Sequence, residues 1–145
     1  MNYKIIVVIF CLLLASCVGS SPPKPNTEGP IHTLGGGFLI ESGKLKYGLT
    51  YKSHSLVDPI YAKAEFENPV SGEQPINTDI GKLNLTEKII VQSPAFDSIK
   101  NNTTYSAVLY LYSDEAKTKL VHKHIDKVQF AIPSELLKQV GINEL

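Results

Sequence analysis

Lys44-Leu45-Lys46-Tyr47-Gly48-Leu49-Thr50-Tyr51-Lys52 alternates apolar and polar residues with a period of two. Successive side chains of a β-strand point to opposite faces, so Leu45, Tyr47, Leu49 and Tyr51 fall on one side, with Lys44, Lys46, Thr50 and Lys52 on the other. One face belongs in a core and the other in water. Ala62, Ala64 and Phe66 repeat the pattern against Lys63, Glu65 and Glu67, and segments near 88–92, 104–112 and 120–132 also read as strands. Asp58-Pro59, Asn68-Pro69, Ser71-Gly72, Ser93-Pro94 and Asn101-Asn102 punctuate them. Strands at this spacing, without helices between them, predict a single antiparallel all-β sandwich of about seven strands. Only residues 133–141 have helical character. Ser134 stands where an N-cap would and Gly141 where a stop would, so one short C-terminal helix is expected.

Upstream of this pattern the composition changes. Between Val18 and Leu34, Gly19, Ser20, Ser21, Pro22, Pro23, Pro25, Asn26, Gly29 and Pro30 leave too few apolar residues to build a core. Residues 17–36 therefore read as a flexible tether, and 37–145 as the domain. Residues 18–34 would reach at most roughly 56 Å when fully extended. As a coil they would average about 23 Å. Gly35-Gly36-Gly37 reads as a hinge, since a phosphate-cradling loop would continue into a Lys-Ser pair and a helix.

The chain opens on Met1-Asn2-Tyr3-Lys4, continues through an apolar run from Ile5 to Leu14, and reaches Leu14-Ala15-Ser16-Cys17. The run is about half the ~20 residues a membrane-spanning helix needs, so residues 1–16 read as a signal peptide. Leu14-Ala15-Ser16-Cys17 resembles the bacterial lipobox. The resemblance implies that Cys17 receives a diacylglyceryl group, that a peptidase cuts before it, and that a fatty acid such as palmitate caps the new amino group. It further implies a lipid-anchored envelope protein. Val18 follows the cysteine where aspartate commonly signals inner-membrane retention, so the periplasmic side of an outer membrane is expected in a cell that has one.

Cleavage would leave 129 residues (145 minus 16), enough for one domain with a real core. Cys11 leaves with the leader and Cys17 carries the lipid, which excludes disulfides, thiolate metal sites and cysteine nucleophiles. All fourteen basic residues are lysines. Without Lys4, 13 lysines face 14 acidic residues, for a net charge of about −1. That balance disfavours nucleic acid, which needs a basic patch.

One segment sharpens the fold. Ile99-Lys100-Asn101-Asn102-Thr103-Thr104-Tyr105-Ser106-Ala107-Val108-Leu109-Tyr110 resembles the corner of fibronectin type III and immunoglobulin-like domains, where a polar turn leads into a strand that opens with tyrosine. By that resemblance the Tyr105 hydroxyl would bond back to the chain just upstream. Tryptophan and a cysteine pair, hallmarks of true immunoglobulin domains, are absent from the mature sequence.

His122, His124 and Asp126 share a strand face and supply a candidate metal set, although one strand cannot close a site alone. The plainer reading is a solvated polar face alternating with Val121 and Ile125. Glu65 and Glu67 also share a face, but nothing suggests the desolvation that an acid–base pair requires. No Gly-x-Ser-x-Gly elbow occurs. Tyr110 and Tyr112 fall on the face opposite Tyr105, Ala107, Leu109 and Leu111, where exposed tyrosines would suit a protein contact. The expectation is a non-enzymatic envelope module that binds a protein partner, with no cofactor beyond the covalent lipid. A metal- or small-ligand-binding lipoprotein using His122 and His124 is the alternative.

Overall fold

The alternation in 44–52 becomes β2 (Lys44–Ser53), with Leu45, Tyr47, Leu49 and Tyr51 buried and Lys44 and Lys52 in solvent. The computed structural model describes residues 21–145. β2 pairs antiparallel with β1 (Ile31–Glu41) on one side and with β5 (Ile89–Gln92) on the other. A second antiparallel sheet holds β4 (Ile76–Lys82), β3 (Tyr61–Phe66), β7 (Thr103–Tyr112) and β8 (Leu120–Phe130) in that order. In immunoglobulin lettering the sheets are A-B-E and C′-C-F-G, an antiparallel sandwich in which the fourth strand joins the C-F-G side.

The apolar faces of both sheets meet in one core. Phe38, Tyr47, Phe66, Phe96, Tyr105 and Phe130 form an aromatic centre, with the ring of Phe38 4.6 Å from Tyr47 and 5.1 Å from Phe130. Such tilted and edge-on pairs add roughly 0.5–1.5 kcal/mol each to their area burial. β6 (Ser98–Ile99) pairs in parallel with β9 (Asn143–Glu144), and α1 (Ser134–Gln139) buries Leu137 at the same end.

Three expectations need correction. The first strand starts at Ile31, inside the segment read as tether. Ile31 and Thr33 are inward and buried, and the Pro30 carbonyl accepts N–H bonds from His54 and Ser55 at 2.9 and 3.1 Å. Gly35-Gly36-Gly37 is strand rather than hinge. A Cβ on Gly36 would stand 3.2 Å from the Leu49 side chain, so the missing side chain lets β1 lie close to the core. Ser134 is not a cap: it is already the first helical residue, Pro133 occupies the cap position, and no side-chain cap bond forms. Gly141, at φ +74°, does end the turn.

β4 escaped the sequence reading altogether. Asn77, Asp79 and Gly81 are residues that strands usually avoid, and only Ile76, Thr78 and Ile80 face inward.

Tyr105 is buried at the start of β7. Its hydroxyl donates to the Lys100 carbonyl at 2.9 Å and accepts the Lys100 N–H at 3.0 Å. Asn101 ties the same turn to Ile132 through both backbone groups. Tyr105→Phe is expected to lower the unfolding free energy by about 1 kcal/mol, and by up to about 3 because the Lys100 N–H is left bare. Circular dichroism should show unchanged strand content, and an unmoved urea midpoint would contradict this role.

Candidate functional site

β8 turns the opposite way from its expected reading. Val121 and Ile125 are 49% and 46% exposed, whereas His124 and Asp126 are 1% and 4% exposed. Val128 and Phe130 share the parity of His124 and Asp126 and are strongly apolar, and their burial carries the polar pair into the interior. That parity was the signal available in the sequence.

Inside, each Asp126 oxygen receives one hydroxyl from the other sheet. Thr33 of β1 donates to Oδ1 at 2.6 Å, and Tyr51 of β2 donates to Oδ2 at 3.0 Å. Since the Thr33 proton goes to Asp126, the 2.8 Å contact between Thr33 Oγ1 and His124 Nε2 requires His124 to donate. The ring is therefore the Nε2–H tautomer. Its Nδ1 is buried without a hydrogen-bond partner. Burial, followed by the field of Asp126, pushes the Tyr51 hydroxyl far above the ordinary tyrosine range. Neither Thr33 nor Tyr51 was singled out from the sequence, because their partner lies more than seventy residues away.

The cluster also holds the N-terminal segment. The Asn26 carbonyl accepts the Thr33 N–H at 2.8 Å, and the Asn26 amide donates to the Ile125 carbonyl at 2.9 Å. All four histidines collect nearby: His32 and His54 stack at 4.5 Å, and the rings of His122 and His124 lie 5.9 Å apart.

Hydroxyl, imidazole and carboxylate together invite comparison with a nucleophilic triad, but the connections differ. The Thr33 hydroxyl bonds both of its partners, Asp126 lies 3.8 Å from the same Nε2, and the far nitrogen, where a triad places its acid, is bare. Nor do the candidate metal residues converge. His124 Nε2 and both Asp126 oxygens are occupied, and no group of three or more His, Cys, Asp or Glu among the described residues is arranged to hold a metal ion. The arrangement closes the sheets together with polar bonds.

The surface candidates lie on the outer face of the four-stranded sheet. Tyr110 stands between Lys63 and Lys123, with the Lys123 ammonium 5.4 Å from its ring centroid. Tyr112 stands between Tyr61 and Leu120. All three tyrosines are half-buried, so neighbouring strands cover part of each ring and leave the rest to solvent. Glu65 is outward here, while the Glu67 carboxylate accepts the Ser106 N–H at 2.8 Å. Cys17 lies outside the described residues. Among those described, no helix is long and apolar enough to cross a membrane.

No protein-family model matches the chain. None of the curated proteins matches it either.

Burial lowers the His124 pKa below the usual 6.5; Asp126 opposes that effect, His122 and His32 reinforce it, and the Asn26 carbonyl opposes it. The folded state then binds fewer protons than the unfolded one as pH falls through 6.5. This contribution to stability is complete above that value and diminishes below it. The urea midpoint is expected to fall between pH 7 and 5, less steeply in His124→Gln. Nitrogen-15 NMR near neutral pH should find His124 uncharged with the proton on Nε2, and an Nδ1–H tautomer would contradict the hydrogen-bond network.

Proposed function

We propose that this protein is a bacterial envelope lipoprotein, anchored through acylated Cys17, whose sandwich is a non-enzymatic module that binds another envelope protein. The lipobox resemblance of Leu14-Ala15-Ser16-Cys17 carries the anchoring half. The outward tyrosines support the binding half. Tyr61, Tyr110 and Tyr112 offer wide, rigid contact area at little entropic cost, and lysines flank Tyr110 on both sides. With Val18 after the lipidated residue, the outer membrane is the proposed location in a cell with two membranes.

Metabolic labelling with a radioactive fatty acid is expected to mark the wild-type protein, whereas Cys17→Ala should abolish the label and leave the precursor uncut. An unlabelled wild type would remove the anchor. Two or three acyl chains, at about 0.8 kcal/mol per buried methylene, hold far more firmly than a single chain.

For the binding face, crosslinking in intact cells is expected to capture a reproducible envelope partner. Combining Tyr110→Ser with Tyr112→Ser should abolish capture and spare anchoring, because central aromatic residues carry about 2 kcal/mol or more apiece. The melting temperature of the double variant guards against simple unfolding. Undiminished capture by a folded double variant would rule out this face.

A further inference from the structure

One end of the sandwich gathers the entry of the chain and two seven-residue connections. β2 and β7 end there while β1, β3 and β8 begin there, so residues 27–30 sit beside the connections 54–60 and 113–119. The Pro30 carbonyl binds the first connection. A Cβ on Gly29 would come within 2.7 Å of the His122 ring, so the entering backbone lies directly on β8. Pro30, Leu56, Val57, Ile60 and Val121 line an apolar cleft of about 370 Å³ at this end. On its rim Val57 is 80% exposed, the most of any large apolar residue described, and adjacent Leu120 is 53% exposed. Asp58, next to Val57, is paired with Lys82 at 3.3 Å.

Chain length decides what this end faces. Asn26 is fixed to β1 and β8, and Cys17 precedes it by nine residues, which span at most about 30 Å. Thr33, which bonds Asn26, lies about three residues, or roughly 10 Å, below the apolar end. The opposite end of β1, at Glu41, is eight residues away, or roughly 27 Å. Bringing the opposite end to a bilayer would use nearly the whole reach of the linker. Bringing the apolar end there uses about a third.

Resting on the Cys17 lipoprotein reading, we infer that the apolar end, through Val57, Leu120 and Val121, lies on the surface of the membrane that holds the lipid. Tyr110 then stands on a wall rising from the bilayer, Tyr112 stands beside Leu120 at the foot of that wall, and the Tyr105 end points away from it. Three apolar side chains bind a bilayer weakly by themselves. The anchor makes their contact intramolecular, with an effective concentration in the millimolar range.

The chain contains no tryptophan, so Val57→Trp introduces a single fluorescent reporter on an exposed position. The processed, acylated protein would be reconstituted into phosphatidylcholine–phosphatidylglycerol vesicles with and without brominated acyl chains. Contact at a depth of roughly 5–10 Å should quench Val57→Trp about twofold or more. Val70→Trp, in the connection between β3 and β4 at the other end, should be nearly unaffected. Flotation of the vesicles reports anchoring separately. Protein that does not float condemns the anchor and this inference together. Floating protein quenched equally at the two positions overturns the orientation alone. Overturned likewise is the case in which Val57→Trp is shielded only when other envelope proteins are added.

Discussion

A carboxylate enclosed between two apolar sheets is the constraint on which this fold turns. Asp126 has left water, and its two oxygens are met by hydroxyls from two strands of the opposite sheet. Removing either donor would leave a buried acceptor bare, at a cost of about 1–3 kcal/mol or more. The bonds also set geometry: Thr33 fixes where β1 crosses β8, and Asn26, held by Thr33, fixes how the chain enters. His124 fills the remaining polar space as a neutral ring. Most of the core is held by shape and area, but this corner is held by direction.

That corner divides the molecule. Entry of the chain, the 54–60 and 113–119 connections and the four histidines are at one end. The Tyr105 turn, α1 and the β6–β9 pair close the other end. The tyrosine-bearing face runs between them. Under the proposed anchoring and binding, Tyr110 would lie clear of the attached end, and Tyr112, paired with Leu120, would mark the boundary between the two surfaces.

Much of the architecture was legible because period two is a strong signal wherever apolar residues are regular. Residues 44–52, 62–66 and 104–112 announced both their strands and their buried faces. The signal failed where composition disagreed with position. Glycines 35–37 and the Asn77, Asp79 and Gly81 of β4 look like loop residues, and only their register with Leu49 and Ala62–Glu65 shows them as strand. On β8 the polar residues His124 and Asp126 face inward, against the usual rule that charge faces water. What makes that tolerable is a set of partners on β1 and β2, which no local pattern can display.

The glycines of β1 have a consequence for folding fidelity. β1 is an edge strand, and its middle, Gly35-Gly36-Gly37, has almost no side chains with which to recognise its neighbour. Such a strand slips easily. Displaced by one residue, it would present His32 or Leu34 to Asp126 instead of Thr33, while Gly35 or Gly37 would simply replace Gly36 beside Leu49. Each misaligned form leaves the buried Asp126 Oδ1 without its hydroxyl, with only Tyr51 still bonded to the other oxygen. Correct alignment is thus enforced from a distance, and the strand with the least information of its own is checked by the residue with the most to lose.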